Sequence, residues 1–371
     1  MIYLDNGATT LQKPPSVIQT VARALQTCGN PGRGGHAAAM EAARVVYATR
    51  ALAAEFFGAK PENVVFTGSC THGLNIAIRT LVKPGDQVVI SGFEHNAVTR
   101  PLYALNAKIS IAGRKLFDRQ NTLEEFENII KNGVKAAVFT HVSNVFGYIL
   151  PVEKMAEICR KYNVPFIIDA AQSAGILDIS MEKLEADFIA LPGHKGLLGP
   201  QGTGLLLCGK TPEPLLYGGT GSLSALQEMP EELPDRLEAG TLNVPGIAGL
   251  GAGISYVQRE GLRGIFAREN YQARRCIQGL QNIGIQVFAG ADQGGTVSFL
   301  PPTDPEDFAE KLSKMGIAVR AGLHCAPTAH ESAGTLETGT VRVSFGYDAE
   351  NWKTDRFLQA AEGIFRKKYL E

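Results

Sequence analysis

The stretch Ala190-Leu-Pro-Gly-His-Lys-Gly-Leu-Leu-Gly-Pro-Gln-Gly-Thr-Gly204 joins two apolar runs through a turn that contains a histidine and a lysine. The runs at 187–191 and 205–208 each predict a buried strand. Open α/β sheets bind ligands at the carboxyl ends of their strands, where Lys195 would lie. Desolvation, or a neighbouring cation such as His194, would lower the pKa of this amine and make it a nucleophile able to form a Schiff base with an aldehyde. A lysine on the surface of a glycine-rich turn is the alternative.

Composition limits the possible functions. The chain has 371 residues, enough for two domains, and its net charge of -1 argues against nucleic acid or anionic membrane as a partner. Its six cysteines occur singly, without the paired spacing of a zinc site or a disulfide framework, so no metal is predicted. Residues 1–7 lack the pattern of an export signal, and no apolar run approaches the roughly 18 residues of a membrane span. We therefore predict a reduced, cytoplasmic protein.

Strand and helix patterns alternate through the first two thirds of the chain, which indicates βαβ units and a mostly parallel sheet. The predicted strands cover 63–67, 87–91, 135–140, 164–168, 187–191 and 205–208, and the predicted helices cover 16–27, 36–57, 72–79, 151–162, 248–258 and 262–282. A smaller α+β unit follows, with strands at 285–289, 296–300, 317–320 and 340–345 and helices at 304–315 and 349–367. The glycines at 249–253 mimic half of a dinucleotide-binding fingerprint, but no strand precedes them, so we interpret them as helix packing.

Polar side chains collect where the predicted strands end, and in such a sheet those ends line one crevice. These residues are His95, Asn144, Asp169, Gln172, His194 and Lys195. Residues 68–71 join a strand to a helix, so the N–H groups at Ser69 to Thr71 could bind an anion, although an ordinary N-cap is the commoner use of such residues.

This set matches the needs of an aldehyde cofactor that carries a phosphate and a pyridine ring. Lys195 would form the imine, and the helix start at 69–71 would bind the phosphate. Asp169 would keep the ring nitrogen protonated, which makes the ring an electron sink, while His95 stacks on the ring and Gln172 donates to its hydroxyl. A helix-capping role is the alternative for Asp169.

A second candidate site lies at 319–327. Cys325 follows His324 and lies near Arg320, an electropositive setting that favours a reactive thiolate. Cys159 and Cys208 lie instead within apolar periodicity and are expected to be small buried side chains. On the strand at 340–345, Arg342 presents either a guanidinium fork to a carboxylate or a surface charge.

Together these residues resemble the class V aminotransferase family of pyridoxal 5'-phosphate (PLP) enzymes, and within it the cysteine desulfurases of the SufS-like and selenocysteine lyase branch. The resemblance covers nearly the whole chain. It is carried by the motifs at 3–10, 33–36, 66–71, 94–96, 141–145, 168–172, 193–195, 238–241 and 320–325.

The resemblance implies an α/β protein of PLP fold type I. We expect a large PLP-binding domain at 16–255, with a mostly parallel seven-stranded sheet between helices. A smaller α+β domain at 256–371 and an N-terminal segment at 1–15 would complete the chain.

The resemblance also implies residue roles. Lys195 would bind PLP covalently and later move the Cα proton, with Asp169 at the ring nitrogen, Gln172 at the ring hydroxyl and His95 on the ring. The phosphate would be held by Cys70, Thr71, His194 and, from the second subunit of a homodimer, Thr241. Substrate would be bound by Asn144, Arg342, Arg320 and His36. Cys325 would attack the sulfur of L-cysteine, which gives a persulfide and releases L-alanine.

The chain departs from the usual pattern in three places. Pro192 replaces a serine beside the phosphate, residues 68–70 replace an arginine-glycine-threonine sequence, and the loop at 331–339 matches no known acceptor site. We predict a PLP-dependent cysteine desulfurase that passes sulfur to a protein acceptor. The alternatives are a selenocysteine lyase, which acts on L-selenocysteine, another PLP-dependent β-lyase, or a non-catalytic scaffold. A simple aminotransferase would leave Cys325 without a role.

Overall fold

The computed structural model describes residues 1–32 and 34–368; Arg33, which belongs to the motif at 33–36, lies outside them. The strands are β1 Ile2–Tyr3, β2 Val64–Thr67, β3 Gln87–Ser91, β4 Lys108–Ala112, β5 Ala136–Thr140, β6 Phe166–Asp169, β7 Phe188–Pro192, β8 Gly204–Cys208, β9 Gln286–Phe288, β10 Thr296–Leu300, β11 Ile317–Ala318, β12 Arg320–Gly322 and β13 Thr340–Ser344. The helices are α1 Pro15–Thr27, α2 Ala37–Phe56, α3 Cys70–Leu81, α4 Asn96–Ala104, α5 Arg119–Lys131, α6 Val152–Lys161, α7 Met181–Leu184, α8 Val244–Glu260, α9 Leu262–Asn282, α10 Pro305–Lys314, α11 Pro327–Ala333 and α12 Asn351–Lys368.

The large sheet has seven strands in the order β2-β8-β7-β6-β5-β3-β4. Strand β8 is antiparallel to both of its neighbours, and the other pairs are parallel. Every residue of β5, β7 and β8 is buried, because helices cover both faces of the sheet. The α/β class and the mostly parallel seven-stranded sheet are thus confirmed.

Several elements escaped the sequence analysis, among them the short helices α7 and α11 and three longer elements. Strand β4 lies at an edge of the sheet and is only partly buried, so it lacks the continuous apolar run of the central strands. Helix α4 carries Pro101 in its interior, where proline normally disfavours a helix. Helix α5 is strongly polar and buries only three of its thirteen residues, Thr122, Phe126 and Ile130.

The glycines of α8 serve helix packing, as interpreted from the sequence. A Cβ atom at Gly251 would lie 2.6 Å from the hydroxyl of Thr49 on α2. A Cβ atom at Gly253 would collide with the backbone oxygen of Leu197, in the loop that follows Lys195. Helix α8 therefore lies directly against both α2 and this loop.

A second sheet, β12-β13-β10-β9, is antiparallel and packs against α9, α10 and α12 through its own apolar core. The N-terminal strand β1 pairs with β11 in this part of the molecule. Residue 255, the expected end of the large domain, lies inside the continuous helix α8, and the domain limits stay a prediction. Among the described helices, none combines the length and the apolar character needed to cross a membrane.

Candidate active site

Lys195 lies in a tightly folded loop at the end of β7. The N–H of Gly193 donates to the carbonyl of Thr203 at 2.8 Å, and the N–H of Gly199 donates to the carbonyl of Gly193 at 2.7 Å. A side chain at Gly193 would collide with Thr203, so this position requires glycine. Burial lowers the pKa of Lys195, while the attraction of Asp169 opposes that shift. Lys195 is therefore a partly buried amine facing a carboxylate, and not a solvated surface lysine.

His194 is not the cation that the sequence suggested as a cause of this shift. Burial lowers the pKa of His194 to about 4, with smaller contributions from Lys195 and Lys13. A neutral imidazole does not repel the Lys195 ammonium, so desolvation is what favours the free amine. The His194 ring nitrogen Nδ1 lies 3.0 Å from the hydroxyl of Thr9.

The N-terminal segment holds the lysine loop in place. The Nζ atom of Lys13 donates to the carbonyl of His194 at 2.8 Å, and the hydroxyl of Thr10 donates to the carbonyl of Lys195 at 3.0 Å. The hydroxyl of Thr9 also reaches the carbonyl of His194, at 3.3 Å. Sequence reasoning missed these contacts, because they join residues about 185 positions apart without any local pattern.

Asp169 ends β6 and is 2% exposed. Its Oδ1 atom accepts the N–H of Ala171 at 2.9 Å and the thiol of Cys70 at 3.4 Å. No α-helix begins there within the described residues, so the helix-capping alternative does not apply. Its Oδ2 atom has no hydrogen-bond partner among those residues, and a buried carboxylate in this state is stabilised by a cation placed beside it. The site therefore suits a protonated ring nitrogen.

His95 is the N-cap of α4, where its Nδ1 atom accepts the N–H of Ala97 at 3.0 Å. Burial lowers its pKa, and the charge of Asp169 opposes the shift. An acceptor at Nδ1 places the ring proton of the neutral imidazole on Nε2. His95 thus offers an uncharged ring near Asp169, as a stacking group requires.

The start of α3 has the N-cap that the sequence offered, while its role as an anion site stays a prediction. The hydroxyl of Ser69 accepts the N–H of His72 at 3.2 Å and caps the helix. The N–H groups of Cys70 and Thr71, in the first turn, have no partner within the helix and remain suited to an anion. The thiol of Cys70 itself points to Asp169, and burial raises its pKa, so the backbone of Cys70 would serve a phosphate.

Arg342 is 2% exposed, so the surface-charge alternative is wrong. Its Nη2 atom donates to Asp5 at 2.6 Å, and its Nη1 atom donates to the carbonyl of Asn144 at 3.0 Å. The guanidinium is therefore partly occupied, but Nε of Arg342 and Oδ1 of Asn144 are buried without partners among the described residues. Arg320, whose side chain is 48% exposed, pairs with the same Asp5. Nε2 of Gln172 donates to the carbonyl of Gly7 at 2.9 Å, and Gly7 lies two residues after Asp5.

The loop that carries Cys325 contacts the first residue of α4 and the turn that follows β5. The N–H of Asn96 donates to the carbonyl of Cys325 at 2.7 Å, and Nδ2 of Asn144 donates to the carbonyl of His324 at 2.8 Å. His324 and Cys325 both adopt positive φ angles, 51° and 57°, which strains non-glycine residues. Burial lowers the pKa of His324 to about 2, so this histidine adds no positive charge to the thiol, contrary to the sequence-based expectation.

The cysteines differ sharply in exposure. Cys325 is exposed and Cys28 is partly buried, while Cys70, Cys159, Cys208 and Cys276 are buried. Burial raises the pKa of Cys159 and Cys208, in agreement with their expected role as small buried side chains.

Two expected site residues do not join the others within one chain. Thr241 is exposed and lines a separate cleft with Gly68 and His72. His36 is exposed and caps α2, where its Nδ1 atom accepts the N–H of Ala39 at 3.3 Å. Their roles in cofactor and substrate binding stay predictions.

Several known proteins are similar to this chain. A family model described as "Aminotransferase class-V" matches residues 2–357. The chain belongs to the class V aminotransferase family. It is 33% identical to a probable cysteine desulfurase of Pyrococcus abyssi, over 99% of this chain and 94% of that protein. A probable cysteine desulfurase of Methanothermobacter thermautotrophicus is also 33% identical, over 93% of this chain and 90% of that protein.

A solved structure of this family superposes closely on the chain. The apo structure of cysteine desulfurase from Thermococcus onnurineus NA1 has a TM-score of 0.91 and 34% sequence identity, and the match covers 99% of this chain and 95% of that one. Class V aminotransferase membership and the PLP fold type I architecture therefore agree with the sequence-based expectation.

Proposed function

We propose that this class V aminotransferase is a PLP-dependent cysteine desulfurase that converts L-cysteine to L-alanine and retains the sulfur on Cys325. The observation that carries the proposal is the docking of the Cys325 carbonyl onto the N–H of Asn96, the residue after His95. Cys325, an exposed thiol, lines one cleft with His95, and Asp169 influences the pKa of both His95 and Lys195, which supports a reactive thiol close to these groups. A simple aminotransferase has no use for a thiol at this position.

The buried groups fit PLP. Asp169, without a cationic partner on Oδ2, would hold the protonated ring nitrogen, and the neutral His95 would stack on the ring. Lys195 would bind the aldehyde carbon, and the N–H groups of Cys70 and Thr71 would hold the phosphate together with His194. Gln172 retains a second amide hydrogen for the ring hydroxyl. When bound, PLP supplies an electron sink for the bonds at the substrate's Cα.

Two buried polar atoms, Nε of Arg342 and Oδ1 of Asn144, suit an α-amino acid as substrate. Nε of Arg342 can donate to the carboxylate of an α-amino acid, and Oδ1 of Asn144 can accept from its polar groups. Each atom would gain the hydrogen bond that it lacks, which compensates the cost of burying it. Arg320 lies near Arg342, because both arginines pair with Asp5.

Two residues of the chain, Lys195 and Cys325, would carry out different steps of the reaction. Burial lowers the pKa of Lys195 and so favours the free amine, and Nζ in that form would take the proton from the substrate's Cα. Cys325 Sγ, as a thiolate, would attack the substrate's sulfur. The new bond joins the two sulfurs, the substrate's carbon–sulfur bond breaks, and its electron pair and a proton complete the methyl group of alanine. In the net reaction, L-cysteine and the Cys325 thiol are converted to L-alanine and a Cys325 persulfide.

A homodimer would complete the phosphate site. Thr241 is exposed on a loop at 218–243, where it can reach a second subunit. Exposed apolar side chains on neighbouring surfaces support an interface, among them Leu25 at 69%, Tyr47 at 68% and Tyr217 at 76%. A protein acceptor and a cytoplasmic location remain part of the proposal.

Intact-mass spectrometry after exposure to L-cysteine tests the function. We expect PLP-loaded protein to gain one sulfur atom on Cys325 and to release an equivalent of alanine. Cys325→Ala should lose the added sulfur, whereas the matched control Cys28→Ala should keep it. Persulfide delivery at full rate by Cys325→Ala would contradict the proposal. Running the same assay with L-selenocysteine separates a desulfurase from a selenocysteine lyase.

A further inference from the structure

An open cleft lies beside Cys325, between α3 and α4. Helix α3 contributes Arg79 and helix α4 contributes Arg100, and both side chains are exposed. The remaining lining residues are Thr71, Asn75, His95, Asn96, Ala97, Pro101 and Ala104. None of the residues that line this cleft carries a carboxylate, so the only formal charges around the thiol there are positive.

Both arginines are free of partners. Neither guanidinium takes part in an ion pair or a side-chain hydrogen bond within the described part of the chain. Most other exposed arginines of residues 1–32 and 34–368 do pair, such as Arg44 with Glu41 and Arg366 with Glu362. Two unpaired cations at the rim of one cleft attract an anionic group and are not satisfied by the chain itself.

Two exposed apolar side chains lie close in sequence to residues that line the cleft. Tyr103, three residues after Arg100 on α4, is 73% exposed, and Leu323, two residues before Cys325, is 38% exposed. Tyrosine and arginine are the residue types enriched at the energetic centres of protein interfaces. We call Arg79, Arg100, Tyr103 and Leu323 the acceptor face.

We propose that the acceptor face docks a protein sulfur acceptor whose thiol is flanked by acidic side chains. The inference rests on the proposed function, because it concerns the step after Cys325 has become a persulfide. The acceptor's thiolate attacks the outer sulfur of the persulfide, and a new sulfur–sulfur bond forms on the acceptor. The bond from Cys325 Sγ to that sulfur breaks, and Sγ leaves as a thiolate with the electron pair. No external oxidant or reductant is needed.

Charge should govern the rate of this step. Arg79 and Arg100 raise the local concentration of an anionic thiol and position it beside the persulfide, an effect of about tenfold at low ionic strength. Salt screens exposed charges, with a Debye length of about 10 Å at 0.1 M and about 3 Å at 1 M, so the advantage should fall with added salt.

A peptide series tests the charge requirement. PLP-loaded enzyme is given one equivalent of L-cysteine and then mixed with one of three peptides of equal length, whose single cysteine is flanked by glutamates, serines or lysines. Quenched mass spectrometry follows the loss of the added sulfur from Cys325, and rates are expressed per thiolate because flanking charges alter thiol ionisation. We expect the acidic peptide to react about tenfold faster than the serine peptide, and the basic peptide to be slowest.

Variants identify the residues responsible. In the double variant Arg79→Gln/Arg100→Gln, the three rates should converge to within about twofold. Arg263→Gln, which removes an exposed and unpaired arginine from α9, should retain the wild-type order. Equal rates for all three peptides in the wild type, or an unchanged order in the double variant, would overturn the inference.

The two proposals can fail separately. If L-cysteine leaves no sulfur on Cys325, the proposed function fails. Cys325 can then be loaded with inorganic polysulfide, and the same peptide series still decides whether the acceptor face selects acidic partners.

Discussion

Asp5 and Arg342, which are 337 positions apart in the chain, form a buried ion pair with 2.6 Å between Oδ1 and Nη2. The side chain of Arg342 is 3% exposed and that of Asp5 is 11% exposed. Nη2 of Arg320 lies 2.8 Å from the other oxygen of this carboxylate, Oδ2. One acidic residue of the N-terminal segment thus orients the arginine that would bind the substrate's carboxylate.

Replacing Asp5 should weaken both folding and substrate binding. Asp5→Asn leaves the buried charge of Arg342 without a counter-charge, and we expect a loss of about 3 kcal/mol in the free energy of unfolding. The KM for L-cysteine should rise about tenfold, more than kcat falls, because Arg342 would lose its orientation. Urea unfolding and steady-state kinetics measure the two effects. Arg320→Gln is the control and should cost less than about 1 kcal/mol; an equal loss for both variants would refute the special role of Asp5.

Glu269 should make stability depend on pH. This residue of α9 is 4% exposed, and burial raises its pKa to about 8, with a smaller contribution from Asp348. Between pH 4.5 and 8 the folded state binds a proton that the unfolded state has released, so stability falls as pH rises through this window. The loss is of the order of 4 kcal/mol over the full window.

Glu269→Gln tests that dependence, since a neutral amide of similar shape has no charge to bury. Relative to the wild type, the variant should gain stability from pH 5 to about pH 8 in urea unfolding and level off above that pH. Glu62→Gln, at an exposed position, should show no such trend. A constant difference between Glu269→Gln and the wild type at all pH values would count against a buried neutral acid.

His95 combines a structural and a chemical role that two substitutions can separate. Asparagine is a good N-cap, so His95→Asn should keep the stability of α4 while it removes the aromatic ring; His95→Ala should lose a further ~1 kcal/mol. Both variants should lose activity by a similar factor, about a hundredfold, because both lack the stacking group. Thermal unfolding together with kcat distinguishes the roles. Activity restored by asparagine would show that capping is the only function of His95.

Glu238 anchors the loop that carries Thr241. Its carboxylate makes two 2.8 Å contacts with Arg50, and it accepts the N–H of Phe66 at 2.8 Å. Glu238→Gln should reduce the free energy of unfolding by roughly 3 kcal/mol, because Arg50 stays buried and loses its counter-charge. Glu41→Gln, which breaks an exposed pair with Arg44, should cost less than about 1 kcal/mol in the same unfolding assay. Similar losses in the two variants would contradict this reasoning.

The sequence was most informative where burial is complete. Strands β5, β7 and β8 have both faces covered, so their apolar runs predict them directly. Lys195 and Asp169 could be placed together because parallel neighbours β6 and β7 end at the same edge of the sheet, with Asp169 opposite Ala190. Edge strand β4 lacks that apolar run and therefore escaped detection.

Contacts between distant segments could not be predicted in this way. The pairing of Asp5 with Arg342 and the bonds from Thr9 and Lys13 to the lysine loop depend on tertiary packing, which leaves no periodic pattern. The charge states of His194 and His324 also depend on burial, and a histidine next to a lysine or a cysteine in sequence is easily taken for a cation.

The absence of a side chain at Gly253 has a consequence for mutational surveys of this protein. One methyl group there would push against the Leu197 carbonyl, two positions after the reactive amine. A random library scored for loss of activity should therefore return Gly253 among its hits, although the residue takes no part in the chemistry. Whether a position of this enzyme tolerates a substitution depends on the backbone segment that it contacts, as well as on its distance from the substrate.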